Sequence, residues 1–168
     1  MTAPCFVDAS VLIYARDPRY PLKQQRAAEW IDWLWQQRAG RTSMQVLAEF
    51  YAAVTRRLKV DADLAWDEVK RYLAWTPLPT DEVLLRGARE VERRYKLAWW
   101  DSMAVAAAQL QDCAILASED LEDGMSFGVL KVRNPFTSVL EEPLAVYLVQ
   151  AAPLHRPRGR PRRVAARA

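Results

Sequence analysis

Four acidic positions of this 168-residue chain fall where its apolar pattern breaks, and the chemistry they offer is that of oxygen ligands. Asp8 ends the run Cys5-Phe6-Val7 and is followed at once by the apolar segment Val11-Leu12-Ile13-Tyr14. Aspartate is depleted in strands, so a carboxylate at that junction is delivered to a sheet edge. In open α/β sheets that edge is where ligands bind. Glu49, Asp101 and the Asp120/Asp123 pair recur downstream, each near the end of an expected element. Gathered together, such carboxylates form a cage for a hard divalent cation such as magnesium or manganese.

Each of these acids also has an ordinary explanation. Asp8 can cap a helix opening near Ser10, and Asp101 can cap the helix that begins there. Glu49 falls off the apolar stripe drawn by Leu47, Phe50, Tyr51, Val54 and Leu58, as a surface glutamate does. Asp120 and Asp123 belong to the acidic segment Ser118-Glu119-Asp120-Leu121-Glu122-Asp123-Gly124, which reads equally as a solvated turn. Function is favoured by position, because three of the clusters fall where two strands end and a helix begins, at one rim of a sheet.

Composition removes the competing chemistries. The single histidine, His155, stands in an Arg/Pro segment, which excludes a Ser-His-Asp triad or a histidine-rich zinc site. Cys5 and Cys113 each open an apolar run and read as small buried hydrophobes rather than a redox pair. Residues 151 to 168 carry six arginines and no acid, so the formal charge of +3 becomes −3 once those six are set aside. A basic, Pro-rich stretch of this kind is expected to be disordered and to attract phosphates without specificity. The expected organisation is one domain over residues 1–150 and a basic tail over 151–168. With no signal-peptide pattern and no apolar run near the ~20 residues that span a bilayer, the expected location is cytoplasmic.

The elements that must position these acids alternate short apolar runs with longer amphipathic ones, the pattern of strands joined by helical crossovers. Strands are expected at Cys5 to Asp8, Cys113 to Ala117 and Val129 to Val132, with a short extended entry at Arg41 to Ser43. Helices are expected over Leu22 to Arg38 with Gly40 as its stop, over Met44 to Leu58, and from Asp61 as cap to about Ala74. Two more follow, one capped by Thr80 and reaching Tyr95, the other from Asp101 to Gln111 with alanines that allow close packing on a sheet. Trp30 and Leu34 fit a core stripe, whereas Trp33 falls off it and suits a partner face.

In order along the chain, Phe-Val-Asp-Ala-Ser-Val-Leu-Ile-Tyr (6 to 14), Ser-Met-Gln-Val-Leu-Ala-Glu-Phe-Tyr (43 to 51), Trp-Trp-Asp-Ser-Met-Ala-Val-Ala-Ala-Ala (99 to 108), Ser-Glu-Asp-Leu-Glu-Asp-Gly (118 to 124) and Asn134-Pro135-Phe136 together resemble a PIN domain of the VapC toxin group. The resemblance spans roughly residues 4 to 137. It implies a three-layer α/β/α sandwich around a mostly parallel sheet, a Mg2+- or Mn2+-dependent endoribonuclease, and a cognate antitoxin protein as inhibitor. Carried over by position, Asp8 and Asp101 match the principal metal ligands, Glu49 a helix-borne acid, Asp120 a loop acid and Asp123 a nearby acid of variable role. Ser10 and Ser118 match hydroxyls that orient carboxylates or water. The basic extension after about Val149 departs from the family pattern.

An RNA enzyme with an acidic body needs local cations to admit its substrate, and Arg16, Arg41, Arg56, Arg57 and Lys59 are the candidates beside the tail. A homodimer or an antitoxin groove is the expected use of exposed tryptophan. Two rivals stand against the nuclease. One is a PIN-like module that binds RNA or an antitoxin without cutting. The other is an aspartyl phosphotransferase, which prefers a second aspartate two positions after Asp8, where this chain has Ser10.

Overall fold

Strand β1 (Cys5–Val7) is buried at all three residues, as a strand covered by helices on both faces must be. The structure, a computed structural model, describes residues 3–137. The expected domain limit at residue 150 and the basic tail therefore lie outside the described residues. Asp8 is not part of the strand. Its backbone is extended, at φ −78° and ψ 161°, and its carboxylate accepts the Ala9 N–H at 2.8 Å, capping the short helix α1 (Ala9–Tyr14).

Helix α2 (Pro21–Gln37) opens on a proline, whose missing N–H is one the first turn would leave unpaired anyway. It ends at Arg38, which takes the left-handed conformation at φ 54°, so the stop comes two residues before the expected Gly40. Gly40 instead enters β2 (Gly40–Arg41). Helix α3 (Met44–Arg56) is capped by the Ser43 hydroxyl, which accepts the Val46 N–H at 3.2 Å. Asp61 caps α4 (Ala62–Tyr72) as expected, and a 3-10 turn over Leu73–Trp75 extends it.

Helix α5 (Glu82–Tyr95) is capped by Asp81 and not by Thr80, because it is the Asp81 carboxylate that reaches the Leu84 N–H at 3.0 Å. Helix α6 (Trp99–Leu110) begins two residues before Asp101, with Ala98 at the cap and no side chain closing it. Asp101 thus sits in the first turn, and capping does not account for it. Three strands follow: β3 (Ile115–Ala117), β4 (Ser126–Phe127) and β5 (Leu130–Arg133). The two residues of β4 are too few to show an alternation, and Gly128 at φ 68° makes the tight turn into β5.

The sheet order is β2-β1-β3-β5-β4, parallel except for the β4–β5 hairpin. Cys5 lies opposite Ile115 and Val7 opposite Ala117, so β1 and β3 end level. Helices α1 to α4 pack on one another, while α5 packs on α6 and α6 reaches β3, giving the expected helices around a mostly parallel sheet. From β1 the chain crosses to β2 on one side and later returns to β3 on the other. The carboxyl ends of β1 and β3 therefore flank a topological switch point, the crevice where α/β sheets bind ligands.

One glycine is fixed by close approach. A Cβ on Gly40 would lie 2.3 Å from Cε2 of Trp75, and that indole is held between Trp35 (centroids 4.9 Å apart) and Tyr72 (5.1 Å). Because the ring has nowhere to swing, Gly40→Ala is expected to destabilise the fold by about 2–3 kcal/mol. The corresponding fall in Tm is roughly 4–12 °C, read by thermal denaturation.

Candidate functional site

At the switch point the backbone itself joins the two strand ends, since the Asp8 N–H donates to the Ala117 carbonyl at 3.0 Å. The Ser118 hydroxyl, one residue past β3, donates to Asp8 Oδ2 at 2.8 Å and accepts the Asp120 N–H at 3.2 Å. One buried serine thus orients the Asp8 carboxylate and fixes the loop that carries Asp120. From α1, the Ser10 hydroxyl accepts the Glu119 N–H at 3.4 Å, tying the same loop to the other strand end. Asp8, Ser10, Glu49 and Asp120 share the lining of a cleft of about 370 Å³.

Charge links Asp8 to Asp120 and Glu49, and Asp120 to Asp101, which stands on α6 outside the residues that line the cleft. Burial pushes the Asp8 carboxyl up to about 6, the hydrogen bonds from Ser118 and Ala9 pull it back, and the charges of Asp120 and Glu49 raise it further. Asp101 is raised first by burial and then by Asp120. Asp120 is raised by burial and by Glu119, while Lys23 draws it down. Glu49, the residue a helical wheel dismisses, is exposed toward the cleft and accepts from the Gln45 amide at 2.8 Å. None of the four closes an ion pair among the described residues. Uncompensated like charge of this kind is relieved by a cation.

The donor chemistry fits a hard divalent ion, for every ligand atom on offer is a carboxylate or hydroxyl oxygen. Among the described residues no three acidic, histidine or cysteine side chains close into a finished cage. Magnesium characteristically takes one or two carboxylates and keeps several waters, so an ion completed by water and a phosphate matches this looser set.

Several expected residues stand elsewhere. Asp123 accepts the Asn134 N–H at 2.9 Å and lies 3.6 Å from Arg133, because the turn at Gly124 (φ 84°) folds it back on the end of β5. The Asn134 side chain in turn accepts the Phe136 N–H at 2.9 Å, so the Asn-Pro-Phe segment makes a tight turn just after β5. Arg16 pairs with Glu68 at 2.6 Å over a separate cavity of about 140 Å³. Arg41 donates to the Gly40 carbonyl at 2.8 Å. Of the expected cations only Arg57 lines the acidic cleft; Arg56, also exposed at the end of α3, is not in its wall.

In the cleft, and beside it where Lys23 meets Glu119, stand groups that sequence spacing does not reveal. Buried Asp17 accepts from Arg19 at 2.8 Å (Nε) and 2.7 Å (Nη2), and these bonds hold its carboxyl below the usual range. Lys23 pairs with Glu119 and lies 4.3 Å from the centre of the Tyr14 ring and 5.3 Å from that of Phe136. The only local signal was the bracket Pro18-Arg19-Tyr20-Pro21, which stiffens the entry to α2.

A family model described as the PIN domain matches residues 5–122. The matched span contains Asp8, Glu49, Asp101, Ser118 and Asp120 and ends one residue before Asp123. No curated protein matches the chain.

Proposed function

Since this chain belongs to the PIN domain family, whose members are in general nucleases that use divalent metal ions and act on RNA, we propose that it is a Mg2+- or Mn2+-dependent endoribonuclease. The observation that carries the reading is the shared cleft of Asp8, Glu49 and Asp120, with Asp101 near enough for Asp120 to act on its charge and none of the four in an ion pair among the described residues. Asp8 and Asp101 would hold the ion, with Asp120 and Glu49 completing the acidic set. Asp123 is left out of that set by its bonds to β5.

When bound, a divalent ion supplies Lewis acidity, lowering the pKa of water and offsetting charge on a phosphate. The chain does the rest. Ser118 fixes the Asp8 carboxylate, and Ser10 fixes the loop that places Asp120. Arg57 attracts the incoming strand, and a carboxylate not engaged with the ion takes the proton that water gives up. Water attacks phosphorus, the bond to the 3′ oxygen breaks, and that oxygen receives a proton, leaving a 5′-phosphate and a 3′-hydroxyl.

The finer assignment, a VapC-group toxin held by a cognate antitoxin, rests on the motif resemblance and on exposed aromatic surface. Trp100, 61% exposed, stands in the first turn of α6 beside Asp101 and offers a partner an aromatic contact. A homodimer and a cytoplasmic location belong to the same proposal. Among the described residues no helix is long and apolar enough to cross a membrane.

Incubating the protein with structured RNA in Mn2+ or in EDTA tests the reading. Cutting in Mn2+ alone, with 5′-phosphate ends, is the expected result. RNA binding without cutting would favour a non-catalytic binding module.

A further inference from the structure

We infer that Arg19, aimed by the buried carboxylate of Asp17, is a clamp for a backbone phosphate flanking the one that is cut. The inference rests on the nuclease reading above and adds to it a pair of residues that positions the strand. Asp17 is 2% exposed, and a carboxylate taken so far out of water is costly unless it is paired. Its partner is not a buried cation. Arg19 donates to it from Nε at 2.8 Å and from Nη2 at 2.7 Å, yet the Arg19 side chain stays 61% exposed. Asp17 Oδ1 also accepts the Arg19 backbone N–H at 3.1 Å, so the turn has a closure of its own apart from the guanidinium.

A guanidinium presents all its N–H donors in one plane, as a fork that matches phosphate. Asp17 takes the Nε–H and one hydrogen of Nη2; the other Nη2 hydrogen and both on Nη1 make no bond among the described residues. Arg19 lines the same cleft as Asp8, Glu49 and Asp120, and so does Arg57, whose charge also acts on Asp17. Arg57 is exposed and closes no ion pair among the described residues. One buried negative charge therefore stands with two exposed positive ones, while the remaining charged lining, Asp8, Glu49, Glu119 and Asp120, is acidic. A bound ion offsets charge on the phosphate it holds, but a flanking phosphate meets those acids uncompensated unless a cation receives it. A guanidinium already tethered by a fork of hydrogen bonds receives it with little further loss of freedom.

The test is fluorescence anisotropy with a labelled single-stranded RNA over a range of salt concentrations, in EDTA so that binding is read without metal or cutting. Arg19→Gln is expected to raise Kd roughly 5- to 20-fold and to lower the slope of log K against log salt by about 0.7, the loss of one phosphate contact. Arg19→Lys keeps the charge without the fork and recovers the slope but not the affinity. Asp17→Asn discriminates most sharply. It removes a negative charge from the cleft, so charge alone would tighten binding, whereas loss of the tether raises Kd about 2- to 12-fold. Arg86→Gln, an exposed arginine of α5 paired with Glu82, leaves the slope unchanged. In Mn2+-dependent cleavage the Arg19→Gln loss appears in KM with kcat retained. Arg19 is exposed, so its variants fold even where Asp17→Asn does not, and they then decide alone. Unchanged Kd and slope in Arg19→Gln, or tighter binding by folded Asp17→Asn, overturns the clamp, while Mn2+-dependent cutting by the unaltered protein leaves the nuclease reading standing. If the unaltered protein neither binds nor cuts RNA, both fall.

Discussion

Replacing Asp101 by asparagine is expected to leave a folded protein that no longer cuts RNA. Loss of an outer partner of a metal ligand typically costs 10- to 100-fold, so loss of a direct ligand should cost at least about a hundredfold in kcat/KM. Folding should survive, because Asp101 neither caps α6 nor closes an ion pair among the described residues. Its carboxylate is there at an electrostatic disadvantage, raised by burial and by Asp120, and the amide removes that repulsion. A Tm equal to or above that of the unaltered protein, together with lost cleavage, separates a functional acid from a structural one. Cleavage retained within tenfold would remove Asp101 from the site.

The second large effect is on stability against pH in metal-free protein. The Asp8 carboxyl titrates near 3.8 when unfolded and at about 6 in the fold, so the folded state holds the proton more tightly. The stability from this group is then fully present below about 3.8 and lost as pH rises through about 6. At 1.36 kcal/mol per pKa unit the loss is at most about 3 kcal/mol. Asp17 works in the opposite direction: Arg19 holds it below the ordinary value, so its contribution is present above that value and lost as pH falls through the folded one. The clean reading is therefore a difference. Asp8→Asn keeps an oxygen for the Ala9 N–H and turns its amide NH2 to the Ser118 oxygen, and its Tm should gain on that of the unaltered protein by roughly 5–10 °C between pH 4 and pH 7. A gap that does not change with pH would mean that Asp8 is not buried among like charges.

These results would turn on a site that was partly legible in the chain. Asp8 could be found because an apolar run stops on it, and Asp120 because it follows a buried strand by three residues. Asp101 reads as a cap only if α6 starts at it; the true start at Trp99 removes that explanation. Glu49 was invisible to a helical wheel, which weighs a residue against its own helix. Its cleft is made by other elements: Asp8 in the turn after β1 and Asp120 in the turn after β3. The cations are hard to place for the same reason. Arg16 is claimed by Glu68, 52 residues on, whereas Lys23 is delivered to Glu119, 96 residues away, and nothing in the spacing of either announces its partner. The fold class followed from the alternation of strand and helix, while the two-residue β4 and the 3-10 turn at Trp75 are set by tertiary packing that leaves no periodic trace.

The central claim is that separated acids gather to hold one kind of ion, and calorimetric titration of Mn2+ into metal-free protein near pH 7 tests it most directly. The expected result is saturable binding by the unaltered protein, weakened at least about tenfold in both Asp8→Asn and Asp101→Asn and unchanged in Asp123→Asn, whose side chain is committed to Asn134. Absence of saturable binding, or the same affinity in all four proteins, would contradict the account.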